Sequence, residues 1–213
     1  MTDIKISIII PIYNRDEFIG RCIRSILSQS IDRKNYEIII IDDGSTDYSS
    51  KIYNVFADEV IIIKHKKNLG LPTALNTGIK KAKGRYVVRL DSDDYVNHDF
   101  LHILMIFLSE NKNFDAVACD YLLVDDQEKV LKRMDCNKYP IGCGIMFKTE
   151  HLIEIGLYDE KFLLHEEREL RQRFEKKYKI TSIPLPLYRY RKHEANMTND
   201  KKNYKKKFKL LQK

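Results

Sequence analysis

The 213-residue chain is long enough for one sizeable domain and short for two, and its 43% hydrophobic content is that of an ordinary soluble globular protein. Its formal charge of +7 sits at one end, because residues 201–213 hold seven lysines and no acid, which leaves residues 1–200 at zero. A nucleic-acid-binding domain would carry its Lys and Arg over a folded face, so this distribution speaks against nucleic acid as a partner.

Along the chain, short β-branched apolar runs alternate with segments of helical spacing. Residues 4–12 (IKISIIIPI), 36–41 (YEIIII), 60–63 and 86–90 are nearly unbroken apolar runs, as parallel strands covered on both faces require. Between the first two, Phe18, Cys22 and Ile26 with Ile19, Ile23 and Leu27 make an apolar stripe over 17–29. A second helix is expected to start at Ser45 or Thr46 as its cap and to carry Ile52, Val55 and Phe56. A third covers 71–82, with Pro72 tolerated in its first turn. Strand alternating with helix predicts an α/β fold, an open and mostly parallel sheet wound on both faces.

After residue 94 the pattern becomes irregular. A helix is expected over 100–108, strands over 116–124, 129–133 and 142–147, a charged helix over 166–177 and a short strand over 187–191. No repeat or low-complexity linker divides the chain. It reads as one domain over 1–197, with a nucleotide-binding half at 1–94, a smaller antiparallel acceptor-side half at 95–197, and a basic tail at 198–213.

Ligands of such sheets bind beyond the carboxyl ends of the strands. The residues there are Pro11-Ile12-Tyr13-Asn14-Arg15, Asp42-Asp43-Gly44-Ser45 and Asp91-Ser92-Asp93-Asp94, and all three groups are expected on one rim. Carboxylates crowded at 91–94 repel one another unless a cation offsets them, and Mg²⁺ or Mn²⁺ binds through few carboxylates plus substrate phosphates. A D-x-D at this place therefore suits a metal–diphosphate complex. Asp42 and Asp43 can accept from a base imide or a ribose hydroxyl, and Tyr13 offers a face for stacking.

These segments resemble the family 2 glycosyltransferases of the GT-A fold. The successive motifs are SIIIPIYNR (7–15), IIIIDDGSTD (38–47), NLGLPTALNTGI (68–79), GRYVVRLDSDD (84–94), GCGIMFKTEHLIEIGLYDEKF (142–162), HEERELRQR (165–173) and YRYRKHE (188–194). The ordered set spans the chain to about residue 197. The resemblance implies that Pro11, Tyr13 and Arg15 line the nucleotide site and that Asp42 contacts the base. It further implies that Asp91 lies near the ribose and the metal, that Asp93 and His193 hold the metal, with Asp93 the principal ligand, and that Asn68 and Gly70 shape the loop beside the nucleotide. The family's catalytic base lies in a Glu-Asp pair opening a helix. Here the pair is Glu166-Glu167, with Leu170 and Arg173 at the matching offsets, so Glu167 takes the Asp position and Glu166 is the alternative base. The extra methylene moves the carboxylate by roughly an ångström, and catalysis is sensitive to such displacements.

The implied reaction is transfer of a sugar from a nucleoside diphosphate sugar, UDP first, to an acceptor hydroxyl with inversion, in cell-surface polysaccharide or glycan synthesis. The acceptor is a carbohydrate or a lipid-linked one. The rival readings are a nucleotide- or sugar-binding module without catalysis and a sugar nucleotidyltransferase. The latter expects a glycine-rich loop after the first strand, where PIYNRDEF has no glycine. In the tail, Tyr204, Phe208 and Leu211 fall at i, i+4 and i+7 among the lysines. Such a segment either lies on an anionic membrane or packs on its own domain. The chain shows no secretion signal or membrane span, and Cys22, Cys119, Cys136 and Cys143 have no zinc or C-x-x-C spacing. Reduced thiols and a cytoplasmic location, peripheral to the inner membrane face if the tail binds lipid, are the expectation.

Overall fold

The computed structural model describes residues 4–194 and 196. The tail expected at 198–213 lies outside the described residues. The first half runs β1 (Ile6–Ile12), α1 (Asp16–Leu27), β2 (Tyr36–Asp42), α2 (Ser49–Asn54), β3 (Ile61–Lys64), α3 (Leu71–Lys81) and β4 (Tyr86–Arg89). The second runs β5 (Tyr95–Val96), α4 (Phe100–Glu110), β6 (Ala116–Val124), β7 (Val130–Met134), β8 (Ile145–Lys148), α5 (Thr149–Glu154), α6 (Glu166–Glu175) and β9 (Ile180–Arg191).

One sheet passes through both halves, in the order β3-β2-β1-β4-β8-β6-β9-β5, with β7 on β6. Strands β3, β2, β1 and β4 are parallel, as their apolar runs require. Antiparallel pairing enters where β8 joins β4, and returns at β6–β8, β6–β7 and β5–β9, while β6 and β9 run parallel. The period of two along each strand sends its side chains to two cores. Ile8 and Ile10 of β1 meet Ile19, Ile23 and Ile26 of α1 and Phe100 and Leu104 of α4 on one face. Ile9, Ile39 and Ile41 meet Ala74, Leu75 and Ile79 of α3 and Leu170 and Phe174 of α6 on the other.

The boundaries expected from sequence hold within a few residues for most elements, with informative departures. The helix after β2 begins at Ser49, not at a Ser45 or Thr46 cap. Ser45 instead accepts from Asn14 N–H (3.1 Å), Thr46 N–H donates to Asn14 Oδ1 (2.8 Å), and Ser49 Oγ accepts from Arg15 N–H (3.0 Å). These polar groups bind the loop after β1 to the loop after β2. Val55 is exposed, outside the apolar stripe assigned to it.

Strand β9 is far longer than the expected 187–191. Pro184 and Pro186 hide its first half in the sequence, because proline cannot donate to a ladder. The structure accommodates them with a register shift, Cys119 pairing with Ile183 and Asp120 with Pro186. No helix among the described residues is long and apolar enough to cross a membrane. All four cysteines are free and buried.

Candidate active site

The three loops after β1, β2 and β4 converge, and with residues 140–143, the turn 163–165 and the start of α6 they enclose a cavity of about 740 Å³. Pro11, Tyr13, Arg15, Asp43, Asn68, Asp91, Asp93, Glu166 and Glu167 all line it. Pro11 stands past the last β1–β4 pair, Ile9 with Arg89, where the sheet has opened and no donor is missed. Tyr13 is 44% exposed at the mouth.

Asp42 and Asp43 divide their roles as neighbours on a strand must, facing opposite ways. Asp43 lines the cavity and organises its wall: its carboxylate accepts from Leu69 N–H (3.0 Å) and Gly70 N–H (2.8 Å) and bonds His65 Nδ1 (2.6 Å). Asp42, expected at the base, is fully buried away from the cavity. Its oxygens accept from Ser45 N–H (2.7 Å) and Tyr53 O–H (2.7 Å), with Lys64 Nζ at 3.4 Å. Those bonds give Asp42 a structural role, and it does not line the cavity. Gly44 makes the close approach possible: its φ is +78°, and a Cβ there would stand 2.6 Å from the Lys67 carbonyl carbon and 2.8 Å from Asn68 N.

Each acid after β4 has its own partners. Arg89 holds Asp91 with a two-pronged grip, Nε to Oδ1 at 2.6 Å and Nη2 to Oδ2 at 3.1 Å. Asp93 Oδ2 meets His193 Nε2 at 3.0 Å and Arg15 Nε at 3.4 Å. Burial pushes the Asp93 carboxyl up, but the His193 hydrogen bond and the Arg15 and His193 charges outweigh it and hold it below the usual carboxylate value. Asp94 accepts from Tyr188 O–H (2.7 Å) and Arg191 N–H (2.8 Å), yet burial and the nearby Asp93 and Asp91 raise it well above the usual value.

Asp93 and His193, a hundred residues apart in sequence, are thus brought into contact. Adjacent octahedral ligand atoms, each about 2.1 Å from a Mg²⁺ or similar ion, lie about 3.0 Å from one another. The observed separation of 3.0 Å between Asp93 Oδ2 and His193 Nε2 fits such an ion in place of the shared proton. Asp91, Asp94 and Cys143 also cluster, the two carboxylates holding Arg89, Tyr188 and the Arg191 N–H.

The two glutamates opening α6 are distinguished by burial. The Glu166 side chain is 5% exposed and accepts from Arg89 Nη1 at 2.9 Å. Burial raises its carboxyl, Arg89 counteracts and Glu167 adds to the rise. The Glu167 side chain is 25% exposed and its ion-pair partner, Arg168, is 3.9 Å away. Arg173 is structural, its guanidinium donating to the carbonyls of Ile155 (2.5 Å) and Leu157 (2.6 Å). Sequence reasoning missed Arg89 altogether. The signal was present: a lone cation ends an otherwise apolar strand, a costly place for a charge without partners.

The fold and this arrangement place the chain among known proteins: it belongs to glycosyl transferase family 2, whose family model matches residues 7–176. An uncharacterized glycosyltransferase of Rickettsia bellii is 39% identical over 173 residues, which cover 75% of this chain and 25% of the relative. The chain thus spans about a quarter of that relative's length. The crystal structure of S. aureus TarS 1–349 in complex with UDP-GlcNAc superposes with a TM-score of 0.81 at 21% identity, covering 98% of this chain and 65% of that one. The mannosyltransferase PcManGT from Pyrobaculum calidifontis, in complex with GDP-Man and Mn²⁺, gives a TM-score of 0.72 at 18% identity, covering 90% of this chain and 58% of that one. The fold is that of the GT-A glycosyltransferases.

Proposed function

We propose that this protein transfers a sugar from a nucleoside diphosphate sugar to an acceptor hydroxyl with inversion, with Glu167 as the general base. One observation carries the reading: the Asp93–His193 pair and the partly exposed Glu167 belong to one rim at the strand ends, with Asp93 and Glu167 facing the same cavity. UDP is the first choice of donor nucleotide, supported by the UDP-GlcNAc bound to TarS. GDP is the second, since the mannosyltransferase binds GDP-Man.

Tyr13 offers its ring to the base, and Asp43 keeps the 68–70 loop in shape beside it. Asp93 and His193 would hold Mn²⁺ or Mg²⁺, supported by the Mn²⁺ of the mannosyltransferase complex. When bound, such an ion offsets the charge gathering on the diphosphate leaving group. Glu167 takes the acceptor's proton as the acceptor oxygen bonds to the anomeric carbon. The anomeric bond to the diphosphate breaks in the same step, and its electron pair leaves with the nucleoside diphosphate. A single displacement inverts the anomeric centre, with no carboxylate needed as a nucleophile. A carbohydrate or lipid-linked acceptor at the inner face of a membrane, in surface glycan synthesis, completes the reading. The basic tail would assist there if it binds anionic lipid.

The test is release of nucleoside diphosphate from UDP-GlcNAc, UDP-glucose and GDP-mannose with Mn²⁺, by the wild type and Glu167→Gln. The variant is expected to bind donor normally and to lose about 10²–10⁴-fold in kcat. Turnover by E167Q at the wild-type rate would remove Glu167 from the mechanism. Donor binding without turnover by the wild type would favour a binding module instead, a reading to which the Glu at position 167 in place of Asp lends some weight.

A further inference from the structure

Two acids of this cavity meet on one guanidinium, and a third stands across a glycine from it. Arg89 is the last residue of β4, a strand buried on both faces, and its side chain is only 11% exposed. A cation there is stable only if paired. Its Nε and Nη2 take both oxygens of Asp91, and its Nη1 reaches Glu166 on the first turn of α6, 77 residues away in sequence.

The third acid is Glu167, which the backbone of Gly142 separates from the guanidinium. A Cβ built on Gly142 would lie 3.0 Å from Arg89 Nη1 and 2.8 Å from Glu167 Cβ. The backbone at 142 is therefore a thin wedge between the guanidinium and the base-bearing side chain, and only a residue without a Cβ fits it. The loop after β4, the start of α6 and the loop before β8 are locked together at this point.

We infer that Arg89 is a positioning residue for the transfer, a fork that fixes the distance between the donor-side acidic loop and the Glu167 carboxylate. This rests on the transferase reading above and deepens it. The fork also divides labour among the acids. Asp91 and Glu166 are occupied by Arg89, which leaves Asp93 to the diphosphate side and Glu167 to the acceptor side. Lysine cannot replace it, because an ammonium is a point charge and cannot present parallel N–H groups to one carboxylate while reaching a second.

The experiment compares wild type, Arg89→Lys and Gly142→Ala for nucleoside diphosphate release from the same donors with Mn²⁺, alongside thermal unfolding with and without UDP and Mn²⁺. R89K keeps the charge and loses the fork. Displacing a catalytic group by about 1 Å costs on the order of 100-fold. Both variants are therefore expected to lose at least about 10-fold in kcat while donor KM moves less than about threefold. The nucleotide-induced thermal shift should persist in both. A merely structural Arg89 would lower the unfolding temperature and leave kcat per folded molecule unchanged. If R89K fails to fold, G142A perturbs the same junction from the opposite side and carries the test. A wild type that binds no nucleotide and releases no product overturns the transferase reading and the Arg89 role with it. A wild type that turns over, beside folded variants that match its kcat, overturns the Arg89 assignment alone.

Discussion

Adjacent residues on one strand end do opposite work in this protein. Asp43 faces the cavity and templates the 68–70 loop, while Asp42 is buried among Ser45, Tyr53 and Lys64. The sequence DDGS shows two acids at a rim but not which one faces in, because the face each residue of a doubly covered strand presents is decided by packing. Burial pushes the Asp42 carboxyl up, but the Ser45 N–H, the Tyr53 hydroxyl and Lys64 more than offset it, so its folded value lies below the ordinary one. A depressed carboxylate contributes stability that is present above the unfolded value, about 3.9, and is lost as pH falls through the folded value. Asp42→Asn is thus expected to unfold at a lower temperature than wild type at pH 7, with the gap narrowing below about pH 4. Thermal scans from pH 7 to 3 check this. A gap that stays constant over that range would mean that Asp42 acts through its shape and not its charge.

At the scale of elements, the first half of the chain is transparent because β1, β2 and β4 are covered on both faces and read as plain apolar runs. The second half hides β9 behind Pro184 and Pro186, and the two-residue β5 is too short to leave a periodic trace. Yet β9 is what holds the acidic loop. Tyr188 is fully buried, donates to Asp94 Oδ2 at 2.7 Å and accepts from Asp91 N–H at 3.3 Å, while Arg191 Nε donates to the Asp93 carbonyl at 3.1 Å. A strand late in the chain thus returns to fix the loop that follows β4, and then delivers His193 to Asp93. Tyr188→Phe keeps the ring and leaves two buried polar groups without that partner, which typically costs about 1–3 kcal/mol. Urea unfolding measures it, and a change below about 0.5 kcal/mol would mean that the loop does not lean on β9.

For the molecule as a whole, one continuous sheet gives the site its rigidity. Parallel strands β1, β2 and β4 end together and aim three polar loops at one place, as the alternation of runs and helices predicts. The family resemblance already put Asp93 and His193 on one metal across a hundred residues, but that Arg89 serves both Asp91 and Glu166 was left open. These are contacts between ends of elements, set by sheet order, and no local pattern encodes them. The charges they neutralise are those a donor diphosphate would otherwise meet as a bare acidic rim. On the proposed function, this rim takes a nucleoside diphosphate together with a divalent ion at Asp93. The most direct measurement is the thermal shift of wild type and Asp93→Ala with UDP and GDP, each with and without Mn²⁺, since a ligand that binds only the folded state raises its stability by mass action. One nucleotide plus Mn²⁺ is expected to give a shift that exceeds the sum of the separate shifts and disappears in D93A while the variant stays folded. A folded wild type that shifts with neither nucleotide, or a D93A protein that keeps the full metal-dependent shift, would contradict it.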